Sequence, residues 1–301
     1  MPSRFQYVSP GVKLLMVFLM MLAAMVIFSL SAGIMVWAKY GSFEIDSQML
    51  MNDTGLLKLL QLVQTLLVFM APAVIAAYLF IPGNISGLTG RSTLRLNIIL
   101  ASGLTMLLSQ YFIGWAGSFN SGLSLPDTWE SINNWILKTE SEAAELTVKL
   151  VSSDSNTGFL FNVVLISVLP AIGEEWIFRG HIQRYFGEWL KNVHLSVFIT
   201  SVIFAAMHMQ FMTFLPRFFL GMILGYLFYY GGNLWYSVAA HFTNNFLALI
   251  TMSSKNIEEI EEAVKVQPDI PFSAGVVLSF IGTIAMIYII GRSSKYYGKS
   301  V

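Results

Sequence analysis

The sequence predicts an all-α polytopic bundle of about eight membrane-spanning helices with both termini in the cytoplasm. Three observations predict it. The 301 residues are 55% hydrophobic and only 11% charged, against a charged share of about 25% in soluble domains. Eight apolar runs are each about the length of a bilayer span. The loops between them alternate in charge. A soluble fold of this size could not hide so much apolar surface, whereas lipid is itself an apolar solvent.

The runs are 12–38, 57–82, 95–117, 158–178, 194–213, 216–231, 234–251 and 272–291. The first, Val12 to Ala38, covers about 27 residues, longer than the roughly 7–15 of a signal-peptide core. It reads as an uncleaved first span; cleavage near Ser29-Leu30-Ser31-Ala32 is the minor alternative. The fourth is expected to continue as a helix to about Leu190. Pro216 fits the first turn of the sixth. Within that span, Gly221 and Gly225 form a small-xxx-small pattern suited to close helix packing. The Met-rich stretch Met16–Met25 reads as lipid-facing bulk. Trp135, Trp189 and Trp235 read as interface anchors. Segment Thr128–Val151 mixes Trp129, Ile132, Trp135, Ile136 and Leu146 with acids. That pattern predicts an amphipathic helix on the membrane surface or over the bundle.

Basic loops stay cytoplasmic. Arg4 and Lys13 precede the first span. Arg91 and Arg95 precede the third, and Arg179, Arg184 and Lys191 follow the fourth. Arg292, Lys295 and Lys299 end the chain. The intervening loops are acidic: Glu44, Asp46 and Asp53; then Asp127, Glu130, Glu140, Glu142, Glu145 and Asp154; then Glu258, Glu259, Glu261 and Glu262. Eight spans with both ends inside satisfy this pattern. The chain reads as one transmembrane domain, 1–301, with an extramembrane acidic loop at 118–157. No internal repeat is evident.

A zero formal net charge gives no electrostatic case for a nucleic-acid partner. The absence of Cys excludes disulfides, thiolate metal sites and a cysteine nucleophile. The partners expected are the lipid bilayer and, if a site exists, something that enters from it.

Most spans carry almost no ionisable side chain. The region from about 158 to 251 differs. A charge at bilayer depth costs about 2.5–3.5 kcal/mol, so such residues face the bundle interior and mark function. Here stand Glu174-Glu175-x-x-x-Arg179, then Phe204-x-x-x-His208, then His241-x-x-x-Asn245. Glu175 and Arg179 share a helix face and can pair. Glu174 points about 100° away from them. An unpaired carboxylate in a dry site is the group that general acid–base chemistry uses. His241 and Asn245 also share a face and could offer two donors to one point, as an oxyanion site needs. Asn244 is the substitute if that helix turns differently. His181 and His194 fall near span ends and are expected to be solvated.

Counted from the predicted span starts, Glu174 lies about 16 residues, roughly 24 Å, into span four. His208 lies about 14 residues into the antiparallel span five. That places them toward opposite leaflets unless the helices are tilted, or span four is longer and sits deeper toward the cytoplasm than its hydropathy indicates.

The three motifs, in this order on successive hydrophobic segments, resemble the CAAX prenyl protease and bacteriocin-processing (CPBP, ABI) family. The resemblance covers roughly 155–250. It implies a bundle of about eight helices acting as a glutamate-dependent intramembrane peptidase, in bacteria at the plasma (inner) membrane. By that resemblance Glu174 is the general base and His208 orients the water. His241 and Asn245 stabilise the oxyanion, and Glu175, Arg179 and Phe204 brace the site. The substrate implied is a peptide or protein tail, lipidated in the eukaryotic members. No cofactor is implied. The alternative is zinc held by Glu174, His208 and His241 from three helices, although His-Glu-x-x-His is absent. Two other functions share these features: a non-catalytic immunity or scaffold protein binding a peptide in the same cavity, and a proton-coupled transporter. The latter lacks the related halves expected of it.

Overall fold

The computed structural model describes residues 5, 7–43, 47–83, 85–90, 92–123, 126–153, 155–253 and 269–294. The chain is a bundle of α-helices, with no strand among the described residues. Each predicted apolar run is helical. They are α1 (Pro10–Tyr40), α2 (Thr54–Phe80), α3 (Leu96–Ser121), α5 (Asn156–Leu190), α6 (Val193–Met207), α7 (Phe214–Gly231), α8 (Leu234–Ser253) and α9 (Ala274–Ser293). Between α3 and α5 lies α4 (Glu130–Val151).

Among the described residues, six helices are long and apolar enough to cross a membrane: α1, α2, α3, α5, α7 and α9. The other two expected spans are helices but differ. Helix α6 is 15 residues long and stops at Met207, short of the predicted end at 213, because the chain turns there. Helix α8 carries His241, Thr243, Asn244 and Asn245, which dilute its hydropathy. Both are sheltered by neighbours: α6 packs on α7, and α8 packs on α3 and α7. The acids Glu44, Asp46, Asp154, Glu258, Glu259, Glu261 and Glu262, and the cations Arg4, Arg91, Lys295 and Lys299, lie outside the described residues.

The predicted amphipathic helix is α4. It buries Ile136, Ala144, Val148, Leu150 and Val151 and packs over α2 and α8. Asn162 of α5 donates to the Val151 carbonyl at 2.8 Å, holding its C-terminal end.

The Met-rich stretch of α1 is not all lipid-facing. Met21 is buried in the main core, and Met16 and Met20 pack against it. A 31-residue helix against a bundle buries a stripe regardless of residue type. His181 is also not solvated. It is fully buried, with Nε2 2.9 Å from the Ala73 carbonyl and Nδ1 3.1 Å from the Tyr185 hydroxyl. Helix α5 runs on to Leu190, which carries His181 inside the bundle. His194 is exposed as expected and meets the Tyr226 hydroxyl at 2.9 Å.

The small-xxx-small pattern of α7 is a packing device with polar consequences. A Cβ on Gly221 would lie 3.0 Å from Ser201 Cβ and 3.1 Å from Ser201 Cα of α6. The bare backbone also exposes carbonyls: Gly221 O accepts from Arg179 and Gly225 O from Gln183, each at 3.0 Å. Gly221→Ala should therefore cost about 1–3 kcal/mol through overpacking. Thermal unfolding in a fixed detergent measures it, and an unchanged midpoint would show that α6 and α7 have room to spare.

Candidate active site

Helix α5 places the first motif. Its α-helical centre, Leu169–Ile177, is flanked by π-helical turns at Val163–Val168 and Phe178–Gln183. Such turns re-aim side chains and concentrate at functional sites. Glu175 and Arg179 are fully buried and paired as expected, Nη1 donating to Oε1 at 2.7 Å. Arg179 also donates to Gly221 O and lies over the Phe204 ring at 4.8 Å. Two charges this deep are tolerated because each has its partner.

The same Glu175 Oε1 accepts from His241 Nδ1 at 2.9 Å. One carboxylate thus bridges α5 and α8. With Nδ1 engaged, the ring turns Nε2 toward Glu174, whose Oε2 is 3.9 Å away. Glu174 Oε2 is buried without a hydrogen-bond partner among the described residues. A buried acceptor left unsatisfied is expensive, and such groups call for an explanation.

His208 caps α6, its Nδ1 donor-distant at 2.8 Å from the Phe204 carbonyl. The Phe204 ring is the hub. It makes edge contacts with His208 (centroids 5.0 Å apart), His241 (5.9 Å) and Phe178 (5.1 Å). Met209 adopts a left-handed φ of 53°, which reverses the chain directly after His208.

The depth conflict is removed by counting from the hairpin instead of from span starts. Glu174 lies 16 residues before Leu190, and His208 lies 15 residues after Val193. At 1.5 Å per residue these are ~24 Å and ~22 Å from the same turn. The two residues therefore fall at a similar distance along their helices from that turn.

Asn245 is half-buried and accepts from Asn244 Nδ2 at a long 3.4 Å, which leaves its own amide as a donor. Asn244 accepts from Gln110 of α3 at 3.3 Å. The zinc alternative finds no ligand set: among the described residues no three His, Asp or Glu side chains are placed to hold a metal ion.

The segment that builds this cluster can be compared with known proteins. The family model described as type II CAAX prenyl endopeptidase Rce1-like matches residues 156–247. These residues supply Glu174, Glu175, Arg179, Phe204, His208, His241 and Asn245. Over this segment the chain is similar to the Rce1-like family. An uncharacterized protein of Bacillus subtilis (strain 168), YpbD, is 29% identical over 85 residues, covering 27% of this chain and 40% of that protein. The chain thus spans less than half the length of that relative. No solved structure matches.

One residue of this segment escaped the sequence reading. Arg217, in the first turn of α7, donates to Thr213 Oγ1 and Gln210 Oε1 and acts electrostatically on both Glu174 and His208. Its signal was present: a cation inside the predicted span 216–231 is by default a functional candidate.

Proposed function

We propose that the chain is an intramembrane endopeptidase that cleaves a peptide or protein tail with a water activated by Glu174 and oriented by His208. The observation that carries this is Glu174 Oε2, buried and facing His241 Nε2, on the segment that matches the Rce1-like family. In this reading Glu174 takes a proton from the water as its oxygen adds to the scissile carbonyl carbon. The oxyanion forms between the Nε2 edge of His241 and the Asn245 amide. Glu174 then passes its proton to the leaving amine, and the C–N bond breaks.

Glu175, Arg179 and Phe204 are positioning residues. The Arg179–Glu175–His241 chain of hydrogen bonds fixes which imidazole edge faces the reaction. This sequence of steps uses no cofactor. The bilayer delivers the substrate, whether lipid-modified or not. The Bacillus relative supports a bacterial plasma-membrane setting.

The test is purified protein with a panel of lipidated and unlipidated peptides. His208→Ala should lower the cleavage rate by about 10²-fold or more. Cleavage equal to that of the unsubstituted chain would remove His208 from the mechanism. Peptide binding with no cleavage of any panel member would favour a non-catalytic binder.

A further inference from the structure

Arg179 is a fully buried and Arg217 a half-buried cation beside the site, and they differ in what they hydrogen-bond. Arg179 has Glu175 at 2.7 Å. Arg217 makes its two hydrogen bonds to neutral oxygens, those of Thr213 and Gln210. Two carboxylates, Glu140 and Glu174, act on it electrostatically from beyond those hydrogen bonds. Glu140 of α4 accepts from the Met212 backbone N–H at 2.9 Å, and Glu174 faces His241.

Arg217 is also held in place. Its side chain reaches back along the turn to Gln210, two residues after His208, and the left-handed Met209 folds that turn tightly. Asn120 of α3 clamps the same turn from the other side. It donates to the Phe211 carbonyl at 2.9 Å and accepts from Leu215 N at 2.7 Å. A guanidinium fixed on neutral acceptors, on the His208 turn and within electrostatic reach of Glu174, is prepared for an anion that arrives with the substrate. The planar fork of Arg suits a carboxylate, which it can take with two parallel N–H donors. A half-buried cation inside a predicted span, with no carboxylate in its own hydrogen bonds, is by default a functional candidate.

We propose that Arg217 is a specificity residue that binds a carboxylate of the peptide substrate next to the Glu174–His241 pair. This rests on the peptidase reading and narrows it: the preferred substrate is a peptide anionic near the scissile bond. A peptide supplies that chemistry from two sources, its C-terminal α-carboxylate or an Asp or Glu side chain.

The experiment measures binding separately from turnover. Glu174→Gln protein is titrated with labelled hydrophobic peptides in matched sets: free or amidated at the C-terminus, and with Glu or Gln near the middle. Neutralising the recognised carboxylate should weaken binding about 10-fold or more, the scale of a charge-assisted bidentate contact. Adding Arg217→Gln should erase that difference, and Arg217→Lys should retain part of it. The arm that responds, amidation or Glu-to-Gln, names the source. If neither neutralisation alters binding, or if the difference survives Arg217→Gln, the proposal is overturned. Because binding is read in a variant that need not cleave, these results stand apart from a failure of the unsubstituted chain to cleave. Where cleavage is seen, Arg217→Gln should raise KM with little change in kcat. If Arg217→Gln fails to fold, Arg217→Lys carries the comparison alone: unchanged discrimination with a bidentate fork replaced by a point charge would count against it.

Discussion

Glu174→Gln should reduce peptide cleavage by about 10²–10⁴-fold, the usual worth of a general base, while leaving the bundle as stable as before or more so. The two halves of this expectation come from one observation. Glu174 Oε2 is buried with no hydrogen-bond partner among the described residues, 3.9 Å from His241 Nε2. Glu175 takes two donors on its Oε1, from Arg179 and His241, and leaves only its Oε2 unmatched, whereas Glu174 faces His241 beyond hydrogen-bond distance. The amide of Gln has the same shape and removes both the basicity and the buried charge. Cleavage rate and thermal midpoint are measured on the same preparation. If cleavage persists within a few-fold of the original rate, Glu174 is not the base. If the midpoint falls steeply, the carboxylate is structural.

Helix existence was legible because a span needs about 20 apolar residues and nothing else in the chain imitates that. What hydropathy could not supply was where a helix ends when polar residues continue inside the bundle. Gly180, His181 and Gln183 broke the apolar run after Phe178, yet the helix goes on to Leu190 because His181 and Gln183 find carbonyls of Ala73 and Gly225. The helix reaches Leu190 as expected, but ending the apolar span at Phe178 put His181 in solvent, and counting from span starts split Glu174 from His208 in depth. Within the site, i,i+4 spacing sufficed for Glu175 with Arg179. Spacing could not show that Glu175 also receives His241, since that bond joins residues 66 apart. Nor could it show Phe204 as the hub of both imidazoles, for rings meet in three dimensions only.

Arg179→Ala should destabilise the fold by about 3–5 kcal/mol, the cost of leaving a buried partner uncompensated. Arg179 is fully buried and ties three helices. It pairs with Glu175 within α5, donates to Gly221 O of α7 and covers Phe204 of α6. Its removal leaves the Glu175 charge to His241 alone. The conservative Arg179→Lys should recover only part of the loss, because an ammonium lacks the second arm that reaches Gly221. A paired replacement separates stability from function. Glu175→Leu with Arg179→Met removes both charges at similar volume, and such exchanges are often neutral or stabilising. That double variant should regain most of the thermal stability lost in Arg179→Ala. It should still cleave poorly, because His241 Nδ1 no longer has the acceptor that sets its ring. Recovery of both stability and cleavage would mean that the ion pair only fills space. Recovery of stability alone would assign the Arg179–Glu175 pair the task of aiming His241. The buried charge would then persist because the site needs an oriented imidazole, at a cost that packing by itself would not select.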